Sequence, residues 1–413
     1  MAARVKAPRG TFDVLPQDES ARADLAAAAT SVFSRAGYGR IETPAFEETD
    51  LFARGVGAST DIVQKEMFSF TDQGGRELTL RPEGTAPICR AYVEHGMHKL
   101  AQPVKLWYQG PYFRHERPQA GRFRQFNQIG AEAIGTDDPL ADAESIMLLD
   151  EIIRSVEVPG VALRLGSLGS PESRAEYREE LIAYLRANEA DLSDDVRARI
   201  DQNPLRAFDS DDEGTQRVMA GAPTILDRLS NADADHFASV RRLLDHAGVA
   251  YEVDPTLVRG LDYYTRTVFE FTSDALGAQS ALGGGGRYDG LVAELGGPDT
   301  PAVGWAAGVE RILLAMGERP AAARLDVFVA AAEGQRGRAL GVVSELRGTG
   351  LRADLDLAGR SIKGQMKQAD RTGATHTVVL DDDGSAKLRD MATGDERDAD
   401  PATIASELGS AGS

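Results

Sequence analysis

The sequence predicts an α+β chain with a helical insertion and a small α/β domain towards its C-terminal end, and three stretches carry that expectation. Residues 106–135, LWYQGPYFRHERPQAGRFRQFNQIGAEAIG, place aromatic and β-branched runs on either side of a polar turn with Pro and Gly, the pattern of a β-hairpin. Residues 168–248 have helical periodicity, are rich in Asp and Glu, and hold no catalytic-looking cluster, which marks an inserted helical module. From Leu325 onward LDVFVAA, a helix, LRADLDL, RSIKGQMKQADRTGA and THTVVLDDD alternate strand and helix, as a small α/β domain does.

In chain order, residues 17–36 read as a helix with Leu25, Ala28, Ala29, Val32 and Phe33 on one face and Gly37 as its stop. Residues 38–46 are extended, and Pro44 points to an edge, bulge or interface strand because proline cannot donate to a ladder. RELTLRPEGTAPICRAY gives a short strand, a turn at 82–84 and a helix with Thr85 near its start. After the hairpin, residues 140–156 form a helix whose apolar stripe is Leu140, Ala143, Ile146, Met147, Ile153 and Val156. VRGLDYYTRTVFEFTS returns to strand chemistry. The four glycines 283–286 in GAQSALGGGGRYDGL mark backbone that bends sharply or lies close to a ligand, or else a plain flexible loop. No strand–GxGxxG–helix unit surrounds them, so they are not a dinucleotide fingerprint. VGWAAGVERILLAM reads as a glycine-rich entry into a helix, with Val309, Ile312, Leu313 and Met316 towards the core and Arg311 off that stripe. Residues 317–324, GERPAAAR, read as a linker.

A length of 413 residues allows two or three domains, and 42% hydrophobic with 27% charged residues is ordinary for a soluble globular protein. No run approaches a membrane span, and the N-terminal stretch lacks the apolar centre of a secretory signal, so no membrane association and a cytoplasmic location are expected. The single cysteine, Cys89, excludes an internal disulfide and fits a reducing compartment. The six histidines form no metal-ligand spacing with it, and a structural metal on His95 and His98 is not expected. A net charge of -19 argues against indiscriminate nucleic-acid binding. It leaves room for a folded RNA that touches local basic patches, for which Arg360, Lys363, Lys367 and Arg371 are candidates, a solvated helix face being the bland alternative.

Against that negative background, Arg114, Arg117, Arg122 and Arg124 fall close together in the hairpin turn, a local reversal of sign that suggests an anion site. Side chains two apart on a strand share a face, which lines up Arg124, Phe126, Gln128, Gly130 and Glu132. At about 3.3 Å per residue, Phe126 to Glu132 spans roughly 20 Å, the reach of a nucleotide joined to an amino acid. The alternative is a solvated edge hairpin with scattered charges.

Taken together, these stretches resemble the histidyl-tRNA synthetase family of class II aminoacyl-tRNA synthetases, from about Pro8 to the end of the C-terminal domain. PRGTFDVLP and YGRIETPAFE look like the family's opening and first class motif, FRHERPQAGRFRQFNQIGAE like the second, and GWAAGVERILL like the third. LVRGLDYYTRTVFEF and ALGGGGRYDGL resemble the two signatures peculiar to histidine-specific members. The resemblance implies a catalytic domain over 1–320, built on an antiparallel sheet flanked by helices and carrying the 168–248 insertion. An anticodon-binding α/β domain would follow over 325–413. It also implies a homodimer with the Pro44 strand at the interface.

The implied reaction joins L-histidine to ATP as an adenylate, releases pyrophosphate, and passes the histidyl group to the 3′ end of tRNA(His). By resemblance, the catalytic residues are Arg114, on the α-phosphate and entering carboxylate, and Arg259, across the α-phosphate where other class II enzymes use a metal ion. Arg122 and Arg311 would hold the γ-phosphate, and Phe126 would stack on adenine with Glu116 nearby. Mg2+ would accompany the pyrophosphate moiety, with no protein metal site. Glu132 and Tyr264 would satisfy the imidazole nitrogens, Glu83, Thr85 and Gln128 the α-ammonium group, and Tyr263 and Tyr288 would complete the histidine pocket. Arg117 and Gln119 in the hairpin loop are candidate readers of the tRNA acceptor end. The same fold also serves a non-catalytic, histidine-sensing regulatory subunit of ATP phosphoribosyltransferase, which typically lacks the anticodon domain and several of these arginines.

Overall fold

The structure, a computed structural model, describes residues 5–57, 60–277, 280–317 and 325–409. It divides into two compact units, Met1–Glu318 and Arg319–Ser413. The expected linker 317–324 lies outside the described residues except for Gly317, as do the first four residues.

The first unit opens with α1 (Glu19–Arg35), which buries Leu25, Ala29, Val32 and Phe33 as its periodicity predicts. The extended stretch 38–46 is shared between two sheets: β1 (Gly39–Arg40) and β2 (Phe46–Glu48) flank Pro44, which falls where no ladder needs its missing N–H. After α2 (Thr49–Gly55), β3 (Phe68–Thr71) and β4 (Glu77–Leu80) complete a three-stranded sheet in the order β2-β4-β3. Then come α3 (Thr85–Glu94), the hairpin strands β5 (Val104–Phe113) and β6 (Gln125–Ile134), α4 (Pro139–Ser155) and β7 (Val161–Ser167). The inserted segment is helical, with α5 (Pro171–Ala187), α6 (Asp194–Arg199), α7 (Glu213–Met219) and α8 (Asn231–His246). The unit closes with β8 (Glu252–Val253), β9 (Thr265–Ser273), β10 (Ala281–Arg287), α9 (Leu291–Glu294), β11 (Ala302–Gly308) and α10 (Val309–Met316).

The main sheet has eight strands in the order β1-β5-β6-β11-β10-β9-β7-β8. Its six central strands are antiparallel neighbours, and the edge strands β1 and β8 pair in parallel with β5 and β7. The predicted hairpin is in register from Phe113 opposite Gln125 to Val104 opposite Ile134. Strand alternation then divides the molecule. Trp107 and Trp305 face helices α1, α4 and α8, where Phe33 stacks on both at 5.0 and 5.8 Å. Tyr108, Tyr112 and Tyr288 belong to the opposite cluster, beneath α3. Burial of this size makes Phe33→Ala cost about 3–5 kcal/mol.

Three expectations need correction. On α4, Leu140 and Met147 are 58% and 40% exposed; Met147 sits about 100° round from Ile146, and the buried stripe runs instead through Ala143, Ile146, Leu149, Ile152 and Ile153. The four glycines form the interior of β10, not a bend or loop. They are there because neighbouring strands press close: a Cβ on Gly285 would lie 2.0 Å from the Gly304 carbonyl oxygen, and one on Gly283 2.5 Å from Ala307 Cβ. The glycine-rich entry to the last helix is likewise a strand, β11, which pairs with both β10 and β6.

The insertion has its own core of Tyr177, Leu181, Leu185, Ile200 and Met219, whereas α8 sends Phe237, Val240 and Leu244 into the central core. The base of α5 is held by Asp233, which accepts from Ser170 N–H at 3.0 Å, Ser173 Oγ at 2.7 Å and Arg266 Nε at 3.0 Å.

The second unit contains β12 (Leu325–Ala331), α11 (Arg336–Gly348), β13 (Ala353–Leu355), α12 (Ile362–Arg371), β14 (Ala374–Leu380), β15 (Ala386–Asp390), β16 (Glu396–Asp398) and α13 (Pro401–Gly409). Its mixed sheet runs β13-β12-β14-β15-β16. Val327 and Val329 pack under α11 while Phe328 and Ala330 pack under α12, so β12 is apolar without a break because both faces are covered. On α12, Lys363, Lys367 and Arg371 are exposed, and Arg360 just ahead of it pairs with Asp356 at 2.5 Å. Among the described residues, no helix is long and apolar enough to cross a membrane.

Candidate active site

A cavity of ≈550 Å³ opens over β6, β9 and β10, walled by the start of α3, the hairpin loop 114–124, the 256–264 segment and the first turn of α10. Its size suits a nucleotide-sized ligand. Of the residues singled out above, Glu83, Thr85, Arg114, Glu116, Arg122, Phe126, Gln128, Arg259, Tyr263, Tyr264 and Arg311 all line it.

At one end, Glu83 caps α3. Its two carboxylate oxygens accept from the Thr85 and Ala86 N–H groups at 2.7 and 2.9 Å, taking up orphan donors of the first turn. Burial raises its pKa, and those N–H groups and Arg114 pull it back. Thr85 Oγ1 donates to Glu132 Oε1 at 2.8 Å. Glu132 itself is fully buried and, like Tyr288, lies beneath the cavity lining and not in it. Tyr288 donates to Glu132 Oε2 at 2.5 Å and Tyr108 to Oε1 at 3.3 Å. Burial pushes the Glu132 pKa up to about 8, although the Tyr288 and Thr85 hydroxyls favour its ionised form. Tyr288 is fixed by its neighbour Arg287, which is wholly buried, pairs with Asp142 and donates to the Thr136 carbonyl at 2.8 Å.

In the middle, Arg114 donates through Nε to the Pro82 carbonyl at 2.9 Å and stands 5.5 Å from the centre of the Phe126 ring. Glu116 lies between two cations, 3.8 Å from Arg114 and 3.5 Å from Arg122. Arg311 donates to the Ala281 carbonyl; burial and then the neighbouring Arg122 charge lower its pKa. Two guanidinium groups held side by side make a strong anion site. Across the cavity, Arg259 Nη1 meets Glu270 Oε2 at 2.8 Å. A Cβ on Gly284 would come within 3.1 Å of that same nitrogen, so the glycine strand leaves the space Arg259 occupies. Among the described residues, Arg259 Nε and Gln128 Oε1 are buried polar atoms without a hydrogen-bond partner, a donor and an acceptor that a bound ligand would satisfy.

Three polar residues of the hairpin lie elsewhere. Arg117 and Gln119 are exposed in the loop and do not line the cavity; Gln119 forms a β-bridge with Arg122. Arg124 does not continue the row on β6. It precedes the strand, its backbone N–H donates to the Gly10 carbonyl at 2.7 Å, and Phe12 packs on Phe123 at 4.4 Å, so the N-terminal segment pins this arm of the hairpin.

The sequence reading missed Glu270, Glu310 and Arg206. Glu270 sits between Phe269 and Phe271, and its period-two offset could have placed it opposite that apolar face. Glu310 accepts from Asn127 N–H at 2.9 Å and from Arg22 at 3.0 Å, tying α10 to β6 and α1. Arg206, from the insertion, donates to the Gly260 carbonyl at 3.5 Å, and Asn203 donates to Asp262 at 3.4 Å. No local pattern announced those contacts. Among the described residues, no three His, Cys, Asp or Glu side chains are grouped to hold a metal ion.

The family model described as histidyl-tRNA synthetase matches residues 10–312, and that of an anticodon binding domain matches residues 326–410. A protein of Rubrobacter xylanophilus named histidine–tRNA ligase is 50% identical over 404 residues, covering 94% of this chain and 95% of that protein. The apo histidyl-tRNA synthetase of S. aureus is 36% identical with a TM-score of 0.82, covering 98% of this chain and 100% of that one. A Bacillus halodurans structure titled ATP phosphoribosyltransferase regulatory subunit/histidyl-tRNA synthetase shares the fold at 23% identity and a TM-score of 0.67, covering 92% of this chain and 98% of that one. Sequence, fold and cavity agree, and the chain belongs to the histidyl-tRNA synthetase family.

Proposed function

We propose that this chain is a histidine–tRNA ligase, which activates L-histidine with ATP and transfers it to tRNA(His). The observation that carries the reading is the pairing of Arg114 and Arg259 in one cavity, with Arg259 Nε and Gln128 Oε1 buried and unpartnered. In the first step histidine's carboxylate attacks the α-phosphate, and the bond to pyrophosphate breaks. The nucleophile is already ionised at neutral pH, so no general base is required. Catalysis is then a matter of placing positive charge where negative charge grows. Arg114 meets the entering carboxylate and the α-phosphate, Arg259 meets the α-phosphate from the 256–264 segment, and Arg122 with Arg311 holds the γ-phosphate. Phe126 stacks on adenine near Glu116. Magnesium would enter with ATP as part of the substrate and would offset the charge of the pyrophosphate moiety.

Histidine is chosen by hydrogen bonds. Gln128 and Glu83 face its ammonium group, with Thr85 beside them, and Tyr264 and Tyr263 face the ring. Glu132 receives the imidazole N–H from below once Thr85 and Tyr288 make way for it. A pocket of buried polar groups rejects analogues that leave those groups unpaired, by about 10⁴–10⁵-fold. In the second step the 3′-terminal ribose hydroxyl attacks the adenylate carbonyl and AMP leaves. Arg117 and Gln119 face the acceptor end, and the unit from Leu325 binds the anticodon.

The enzyme works as a homodimer through the three-stranded sheet, where Phe46 and Phe70 are 50% and 43% exposed and lie 6.3 Å apart. Phe46→Asp then shifts the sedimenting species from dimer towards monomer, and a protein that sediments as a monomer before mutation contradicts the dimer.

The shared fold also suits a histidine-sensing regulatory subunit. Charging of tRNA(His) with labelled histidine separates the two: the ligase forms acid-precipitable histidyl-RNA with ATP and magnesium, whereas histidine binding without charging supports the regulatory reading.

A further inference from the structure

Beside the active-site cavity lies a smaller cleft of ≈180 Å³, between the helical insertion and the 256–264 segment. The two share Arg206, Val258, Arg259 and Leu261, so the cleft leads directly to the side of the cavity where Arg259 stands. Its charge is one-sided. Arg174 and Arg178 stand one helical turn apart on α5, Arg206 comes from the stretch after α6, Arg259 comes from the facing wall, and among the described residues Asp262 is the one carboxylate of the lining. In a chain of net charge -19, four guanidinium groups against one carboxylate form a concentrated exception.

Part of this charge is already committed. Arg206 pairs with Asp209 at 3.1 Å and Arg259 with Glu270 at 2.8 Å. Arg178 donates to the Asp201 carbonyl, and its nearest carboxylate, Glu179, is 3.8 Å away. Arg174 forms no ion pair among the described residues, and burial lowers its pKa against the attraction of Asp262. A partly buried guanidinium without a paired carboxylate is costly to keep, and an arriving phosphate can meet it with two parallel N–H···O bonds.

We propose that this cleft binds a backbone phosphate of the single-stranded 3′ end of the RNA substrate, with Arg174 and Arg178 as its ligands. The inference rests on the ligase reading, because the second step needs the terminal ribose beside the adenylate. The phosphodiester that precedes this ribose then lies where the cleft joins the cavity. The acidic insertion thus makes one local phosphate contact while most of its surface repels RNA.

The test compares Arg174→Ala/Arg178→Ala and Arg174→Lys/Arg178→Lys with the unmodified enzyme, as full chains, in two assays. Histidine-dependent pyrophosphate exchange reads the first step, and charging of tRNA(His) reads both. The alanine pair keeps exchange within about twofold, raises the KM for tRNA about tenfold, and flattens the plot of log kcat/KM against log salt by about 0.7 for the lost phosphate contact. The lysine pair keeps the slope because it keeps the charge. Unchanged charging and slope in the alanine pair overturn the proposal. So does a raised inhibition constant for added pyrophosphate with unchanged tRNA KM, which assigns the cleft to the leaving group. If the alanine pair loses exchange through misfolding, Arg174→Gln/Arg178→Gln decides, because it removes the charge and keeps a polar side chain: normal exchange with a flattened slope supports the proposal, and normal exchange with an unchanged slope overturns it. Absence of exchange in the unmodified enzyme would instead sink the ligase reading itself.

Discussion

Arg259→Ala probes the proposed chemistry at one atom group. Losing a preorganised donor to charge that develops in the transition state costs about 2.7–4 kcal/mol. The local structure adds a second penalty. Glu270 Oε2 lies 2.8 Å from Arg259 Nη1, so truncation leaves a carboxylate facing the phosphates with only Arg164, 3.8 Å away and already paired with Asp254, to offset it. Two like charges about 5 Å apart at an effective dielectric of about 20 repel by roughly 3 kcal/mol, and partial exposure of Glu270 reduces this to about 1–2 kcal/mol. The sum is about 4–6 kcal/mol, a fall of about 10³–10⁴-fold in the rate of pyrophosphate exchange. Histidine affinity, read by calorimetry without ATP, stays within a few-fold, because this charge acts on the phosphate and not on the amino acid. Arg259→Ala/Glu270→Gln recovers about tenfold by removing that carboxylate. Exchange by Arg259→Ala within tenfold of the unmodified enzyme would refute the assignment, and no recovery in the double variant would refute the repulsion argument.

Four further outcomes are expected. The Glu132 carboxyl, raised to about 8 by burial, is a stronger acceptor for imidazole when ionised, so histidine binding goes on tightening between about pH 7 and 8, above the rise that ends near the ligand's own imidazole pKa of about 6.5; Glu132→Gln removes the upper part of the rise, and a profile flat above about pH 7 in the unmodified enzyme contradicts it. In the empty protein the same raised pKa makes the Glu132 contribution to stability fade between its ordinary value of 4.5 and about 8, which denaturant titration of the two proteins resolves. Gly304→Ala places a Cβ 1.6 Å from Glu132 Oε2, so the variant loses about 1–3 kcal/mol of stability and at least tenfold in histidine affinity; retention of both would show that Glu132 can move freely. Removal of residues 325–413 leaves pyrophosphate exchange within about twofold and lowers kcat/KM for tRNA by at least a hundredfold, and unchanged charging argues against an anticodon role for that unit.

The parts legible in the sequence were those governed by local rules. The hairpin announced itself because period-two alternation and a turn of Pro, Gly and charge coincide, and α1 because its apolar residues recur at helical spacing. The glycines of β10 were ambiguous for a physical reason: a glycine run signals close approach without saying whether ligand or backbone approaches, and here it is both Gly304 and Arg259. The error at Met147 came from a stripe misjudged by one residue, which turns a helix by about 100°. The depth of Glu132 and Tyr288 was invisible because it depends on Thr85 and Tyr108 arriving from other elements. Arg174 and Arg178 looked like ordinary helix surface, and they acquire meaning where the insertion folds against the 256–264 segment.

The central claim is that this cavity makes an adenylate of histidine and no other common amino acid, and exchange of labelled pyrophosphate into ATP tests it most directly. With purified protein, ATP and magnesium, the account predicts exchange that starts on addition of L-histidine and is at least about 10⁴-fold slower with any other common amino acid. No exchange with histidine, or equal exchange with another amino acid, would contradict it.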